Sequence, residues 1–129
     1  MNYVIINDKI INTVPAITEE EHMRGLMYVD KVPESMSFLF NKSAIHKFWM
    51  NNTKVPLDIV FCHNDRIIDI CKGEPYSRRF VGPNKYSNLV IEFPQGYCKE
   101  NSICVGNKVR VKLSINKLAA FFESKLESG

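Results

Sequence analysis

The sequence lacks long apolar runs, blocks of one charge sign, internal repeats and low-complexity segments. Without a long apolar run, no membrane-spanning helix is expected. The 17 Lys and Arg residues and the 14 Asp and Glu residues are spread along the chain, and the net charge is only +3. Because no basic block stands out, neither a membrane surface nor nucleic acid is an expected partner.

The cysteines also lack the spacings that mark metal sites or secreted disulfide scaffolds. The chain has four of them, at Cys62, Cys71, Cys98 and Cys104, without a C-x-x-C pair. The three histidines show no ligand spacing either, so we expect reduced thiols, no metal centre and no cofactor. The N-terminal residues have no basic lead and only a short apolar run, unlike a signal peptide. The sequence therefore predicts a cytoplasmic location.

A length of 129 residues with 45% apolar content fits one domain over residues 1–129 with a single core. Near its start, Thr18 and Glu21 form a capping-box pattern, in which each side chain bonds a free backbone N–H group at the first turn of a helix. Gly25 offers a stop two turns later. These residues predict one short N-terminal helix.

Runs that are β-rich or alternate between apolar and polar residues predict strands. They cover residues 3–6, 10–14, 36–40, 57–61, 67–71, 89–93 and 108–115. In the fourth run, Leu57, Ile59 and Phe61 are expected to face the core, which leaves Asp58 on the opposite side. Residues 72–87 show no periodicity and are predicted to form a long surface loop.

The C-terminal residues have helical periodicity, and Asn116 is predicted to cap a helix over residues 117–127. The apolar stripe of this helix consists of Leu118, Phe121, Phe122 and Leu126. We expect the stripe to dock on the body of the domain or to form a homodimer contact. Together, the elements predict a β-dominated α+β fold. It is a compact antiparallel sandwich or barrel with one short N-terminal helix and an added C-terminal amphipathic helix.

A polar bend follows the only tryptophan of the chain. Asn51, Asn52 and Thr53 stand between the apolar residues around Trp49 and those around Leu57. Amide and hydroxyl side chains in such a bend bond either their own backbone or a ligand. The segment is therefore predicted to be a fixed corner of the fold.

Four motifs stand in a recognisable order along the chain. Residues 24–27 read R-G-L-M, residues 36–40 read M-S-F-L-F, residues 48–53 read F-W-M-N-N-T and residues 56–59 read P-L-D-I. In this order they resemble the family catalogued as domain of unknown function 192, over residues 18–111. The resemblance implies a small, mostly β sandwich or barrel with one short helix, and it implies no settled activity.

The chain departs from this family pattern at four positions. Ser35 stands for a glycine, Ser37 for an apolar residue, Asn51 for a lysine and Asn107 for an aspartate. If that lysine binds an anion in relatives, Asn51 does not supply the same charge. The helix from Lys117 onwards is an addition to the family pattern.

Six residues form the candidate site, and we expect them to line one hollow: Arg24, Trp49, Asn51, Asn52, Thr53 and Asp58. The tryptophan offers a stacking surface, the amides offer hydrogen bonds, and Arg24 offers a clamp for a carboxylate or another anion. This mixture suits a small polar or anionic ligand. The structural alternative is that Arg24 and Asp58 form an ion pair, that the bend bonds its own backbone and that Trp49 belongs to the core.

Two other functions stay open beside ligand binding, which we favour over catalysis. Asp58 is a candidate general acid or base of an enzyme in which Arg24 polarises the substrate. The C-terminal helix, or the basic loop around Arg78 and Arg79, is a candidate surface for a protein partner.

Overall fold

The computed structural model describes residues 1–128, in which strands predominate. The strands are β1 (Tyr3–Ile6), β2 (Lys9–Asn12), β3 (Val14–Ala16), β4 (Met36–Ala44), β5 (Leu57–His63), β6 (Arg66–Gly73), β7 (Ser87–Pro94) and β8 (Val109–Lys112). The helices are α1 (Glu19–Arg24), α2 (Tyr97–Glu100) and α3 (Ile115–Ser128). The predicted β-dominated α+β class is confirmed, although α2 was not predicted.

The strands form two sheets, one of three strands in the order β2-β1-β8 and one of five strands in the order β3-β4-β7-β5-β6. Neighbours are antiparallel except β3 and β4, which pair in parallel with Val14 opposite Met36. These two strands run the same way because α1 and the loop after it return the chain to the end at which β3 starts. Within residues 1–128 neither sheet closes on itself, so the fold is a sandwich and not a barrel.

The five-stranded sheet is buried on both faces. Val60 belongs to the face that packs on the three-stranded sheet, where it joins the cluster that contains Val4. Ile59 belongs to the opposite face, which is covered by Leu26 and Met50 from the connecting segments. The predicted single core is therefore two apolar layers, one on each side of the sheet. Residues 36–39 of β4 are buried on both faces, although the alternation of Met36, Phe38 and Phe40 predicts a half-buried strand.

Helix α1 forms as the capping box predicts. The Thr18 hydroxyl accepts a hydrogen bond from the Glu21 backbone N–H group at 3.1 Å, and the Glu21 carboxylate accepts one from the Thr18 backbone N–H group at 3.0 Å. Gly25 ends the helix with a φ angle of 48°, a conformation that favours glycine. This stop places Arg24 on the last turn of the helix.

Helix α3 starts two residues before the prediction, and Ser114 caps it in place of Asn116. The Ser114 hydroxyl accepts a hydrogen bond from the Lys117 backbone N–H group at 3.3 Å. Ser124 lies against β4, where its hydroxyl donates to the side-chain oxygen of Asn41 at 2.9 Å. Helix α3 therefore contacts the body, but its predicted apolar stripe docks only in part. The exposed members are Leu118, Phe122 and Leu126.

Candidate ligand-binding site

The loop between β6 and β7 is fastened to the polar bend by backbone hydrogen bonds. Phe48 and Val81 exchange two of them, with lengths of 2.8 and 2.7 Å. Met50 donates to the carbonyl of Ser77 at 2.9 Å, and Tyr76 donates to the carbonyl of Thr53 at 2.9 Å. The long loop predicted at residues 72–87 is therefore held against the segment that contains the only tryptophan.

An open cavity of about 230 Å³ lies where α1, β4, β7 and the polar bend meet. Its volume is close to the lower end of the range for small-molecule sites, which suits a ligand with a single ring. Residues from three of the four sequence motifs contribute to its wall. The main lining residues are His22, Arg24, Gly25, Leu26, Met27, Phe38, Phe40, His46, Phe48, Trp49, Met50, Thr53, Phe80 and Glu92.

The aromatic part of the wall is fixed by contacts between rings. Phe38 and Phe48 meet edge to face with centroids 4.9 Å apart. Trp49 and Phe80 are stacked, with centroids 5.1 Å apart and an angle of 6° between the ring planes. Such pairs add to the stabilisation that burial gives, so the rings are held in place by one another.

Glu92 is the acidic group in the buried part of this wall. It lies on β7 opposite Met36 of β4 and Ile59 of β5, and only 4% of its surface is exposed. No hydrogen bond or ion pair to its carboxyl group occurs among residues 1–128. Burial raises the pKa of Glu92 from 4.5 to about 8, because the ionised form loses its hydration. Most of this carboxyl group is therefore protonated near neutral pH.

Arg24 is one of two exposed cations of the cavity, beside Lys47. Its guanidinium group makes neither a hydrogen bond nor an ion pair with any of residues 1–128. The Arg24–Asp58 ion pair of the structural alternative is thus absent from this part of the chain. A ligand anion could accept two parallel hydrogen bonds from such a guanidinium group.

His46 contributes a partly buried imidazole whose plane stacks on Phe40, with ring centroids 3.6 Å apart. Burial lowers the pKa of His46, and the nearby His22 lowers it further. The ring is hydrogen-bonded to the backbone of Lys42, whereas its Nε2 atom is buried without a partner among residues 1–128. His22 differs in this respect, because its Nε2 atom lies 2.9 Å from the carbonyl oxygen of Ala16.

Asp58 lies outside the cavity, on the other face of the five-stranded sheet. Its Oδ2 atom accepts hydrogen bonds from the backbone N–H groups of Gly96 and Cys98, each at 3.1 Å. These groups stand at the start of α2, so Asp58 ties that helix to β5. An acid or base in this position does not reach a ligand in the cavity.

The structure brings three of the six predicted residues to the cavity, namely Arg24, Trp49 and Thr53. Asn51 and Asn52 do not line it. The carbonyl of Asn51 accepts a hydrogen bond from the Thr53 hydroxyl at 3.1 Å, and Asn52 has a positive φ angle of 54°. The Thr53 hydroxyl therefore bonds the backbone of the bend, as the structural alternative proposed.

Sequence reasoning missed Glu92 and His46. A usable signal for Glu92 is its place as a lone acid within the apolar strand of residues 89–93. An ionisable group in such a strand is either paired or functional. The sequence carries no comparable signal for His46, because its burial depends on the contacts of Phe40.

Other kinds of site find no support in residues 1–128. This part of the chain contains no group of three or more His, Cys, Asp and Glu side chains that could hold a metal ion. It also contains no helix that is long and apolar enough to cross a membrane. All four cysteines are free thiols.

The fold and its cavity define a class of small sheet-rich domain, with an aromatic hollow between a short helix and a five-stranded sheet. The family model for domain of unknown function 192, described as an uncharacterised ACR, matches residues 4–111. The chain therefore belongs to this family, which confirms the resemblance of its motifs. The match begins at Val4, so it includes the first three strands, and it ends before α3.

Two crystal structures are similar to this chain. One is a protein of unknown function from Novosphingobium aromaticivorans, with 28% identity and a TM-score of 0.78 over 84% of this chain and 83% of that chain. The other comes from Sinorhizobium meliloti and is described as a candidate transcription regulator. It has 23% identity and a TM-score of 0.78 over 85% of this chain and 91% of that chain, so it supports the fold alone. No curated protein matches the chain.

Proposed function

We propose that the protein is a binding domain for a small organic ligand that has an apolar body and an anionic group. One observation carries the proposal. The residues of the motifs at 24–27, 36–40 and 48–53 come from separate segments, and they meet at one open cavity. Leu26, Phe38 and Met50 of these motifs also belong to the apolar layer on this face of the sheet, so core packing accounts for part of each motif, and the opening is left to the rest.

The two ends of the proposed ligand follow from the groups that line the cavity. Trp49 and Phe48 offer ring surface for the apolar body. Arg24 offers a guanidinium group without a partner in residues 1–128, which suits a carboxylate or phosphate. Catalysis by Asp58 is not proposed further, because its carboxylate is bound to the backbone on the other face of the sheet.

The proposal is tested by titrating the protein with 3-phenylpropionate, a probe with one ring and one carboxylate. Trp49→Ala and Arg24→Gln should each weaken binding roughly fivefold to thirtyfold, since each loses a contact worth about 1 to 2 kcal/mol. Tyr86→Ala and Arg78→Gln are matched controls, because both side chains are exposed and lie outside the cavity. Equal affinities for all five proteins, or no binding to any, would contradict the proposal.

The natural ligand is best sought by native mass spectrometry of protein purified from its own host. A retained small molecule of one mass, absent from Trp49→Ala prepared in the same way, supports the proposal.

A cytoplasmic location stays a prediction, and the free state of all four thiols fits it.

A second candidate, which we also propose, is a homodimer contact through α3. The exposed apolar residues on this helix favour it, with Leu118 exposed by 42%, Phe122 by 54% and Leu126 by 82%. In sedimentation experiments the wild-type protein should be a dimer, whereas the double variant Leu118→Lys/Phe122→Lys should be a monomer. A wild-type monomer at high concentration would contradict the contact.

A further inference from the structure

The buried end of the cavity leaves two polar groups unsatisfied in the free protein. The Glu92 carboxyl group is 4% exposed, lines the cavity and has no partner among residues 1–128. His46 lines the same cavity, and its buried Nε2 atom also has no partner among residues 1–128. Burying polar groups without hydrogen bonds is costly. A ligand that satisfies both groups would remove this cost.

Both groups are suited to accept hydrogen bonds. His46 is neutral because burial lowers its pKa, and it already uses one ring nitrogen to donate to the backbone of Lys42. Its Nε2 atom therefore carries a lone pair. The carboxylate form of Glu92 is also an acceptor and carries a negative charge. A group with several N–H donors and a positive charge matches the carboxylate best.

The surrounding rings favour a cation as well. Phe38, Phe40, Phe48 and Trp49 line the cavity beside Glu92. The faces of such rings attract ammonium groups, most strongly where water is excluded. The protein's own cations at the cavity do not pair with Glu92. Arg24 is exposed, and Lys47 donates to the carbonyl of Gly82.

We infer that the buried end of this cavity binds the ammonium group of a small amine, which pairs with Glu92 while its apolar body lies between the aromatic rings. This inference rests on the proposed ligand site and names the class of its ligand. With the anionic group at Arg24, the ligand is a zwitterion with an apolar body.

Binding of the amine includes the release of one proton. The ammonium group enters with its charge, the protonated Glu92 carboxyl group loses its proton to the solvent, and an ion pair remains. With a pKa of about 8, most of this carboxyl group holds its proton at pH 7 in the free protein, so pairing with the ammonium group releases nearly one proton. The other titratable groups that line the cavity are Glu19, His22, Arg24, His46 and Lys47. Glu92→Gln keeps all of these groups, so it isolates the proton that comes from Glu92.

The test is calorimetric titration with three probes that share one ring: 2-phenylethylamine, 3-phenylpropionate and phenylalanine. Glu92→Gln should weaken the amine and phenylalanine at least roughly tenfold and should leave 3-phenylpropionate unchanged. Arg24→Gln should weaken the binding of 3-phenylpropionate and should leave the binding of 2-phenylethylamine unchanged. Glu123→Gln, an exposed acid on α3 outside the cavity, is the matched control.

A second measurement needs no variant. Titrations of wild-type protein in buffers with different ionisation enthalpies should show release of about one proton per bound amine near pH 7. Binding of 3-phenylpropionate without binding of the amine would overturn this inference and leave the proposed function standing. Amine binding without proton release, or unchanged in Glu92→Gln, would also overturn it. If none of the three probes binds, both proposals fail.

Discussion

Asp58 and Glu92 lie on neighbouring strands, one position out of register, and their carboxyl groups leave opposite faces of the five-stranded sheet. In the β5–β7 pair, Asp58 lies opposite Phe93, and Ile59 lies opposite Glu92. Side chains that follow each other along a strand point to opposite faces. Asp58 is therefore bound to backbone N–H groups in the layer between the sheets, whereas Glu92 faces the cavity without a partner among residues 1–128.

Replacing Asp58 should weaken the fold and leave the cavity intact. Asp58→Ala removes the acceptor of two backbone N–H groups at the start of α2, which costs about 2 to 4 kcal/mol of unfolding free energy. Urea unfolding measures this loss. Asp30→Ala is the control, because Asp30 is exposed and pairs only with Lys54, an arrangement worth less than about 1 kcal/mol.

The same Asp58 variant separates its structural role from a catalytic one. Asp58→Asn keeps the shape and one acceptor, so it should fold and bind 3-phenylpropionate with wild-type affinity. A loss of probe affinity in a folded Asp58→Asn protein would show that the carboxylate acts on the ligand, contrary to its position in the structure.

The pH dependence of stability should carry the signature of Glu92. Its pKa is 4.5 in the unfolded chain and about 8 in the folded protein, so folding holds a proton in this interval. The contribution of Glu92 to the free energy of unfolding is therefore fully present below about pH 4.5 and is lost as the pH rises towards 8. At about 1.4 kcal/mol for each pKa unit, the loss approaches roughly 5 kcal/mol.

Glu92→Gln tests this signature, because the amide stays neutral at every pH. Relative to the wild-type protein, the variant should gain unfolding free energy as the pH rises from about 5 to about 8. Urea unfolding at both values measures the difference. Parallel pH profiles for the two proteins would mean that the carboxyl group ionises freely in the folded state.

The parts of the fold that sequence predicts well are those that local chemistry determines. The capping box of Thr18 and Glu21 acts within one helical turn, and Gly25 follows it closely, so the bounds of α1 could be predicted. The parallel pairing of β3 with β4 could not be predicted from the sequence. It depends on how α1 and the following loop return the chain, which strand composition does not encode.

In the candidate site, too, some residues are indicated by local sequence and others are placed only by packing. Trp49 and Arg24 stand in motifs that local composition singles out, and both line the cavity. The position of Asp58 depends on α2, a helix of four residues that left no clear sequence signal. Glu92 could be placed in a strand, but its exposure to a cavity depends on packing from α1 and the polar bend.

Asn52 should matter for the turn and not for the ligand. Its φ angle of 54° favours asparagine or glycine, and its carbonyl accepts a hydrogen bond from the Tyr28 backbone N–H group at 2.9 Å. Asn52→Ala should lower the unfolding free energy by about 1 kcal/mol, while Asn52→Gly should lower it by less than about 0.5 kcal/mol. Equal losses in both variants would show that the amide side chain itself holds the turn.

The four thiols should react with a thiol reagent in a defined order. The reactive form is the thiolate, and burial raises the pKa of Cys62 and of Cys98 to about 12 and that of Cys71 to about 11. Cys104 is exposed. Labelling near pH 8 should therefore modify Cys104 first and Cys71 more slowly, while Cys62 and Cys98 should react only at the rate of unfolding. Cys104→Ser should remove the fast phase, and a fast phase that survives this change would show that a buried layer of the sandwich opens readily in solution.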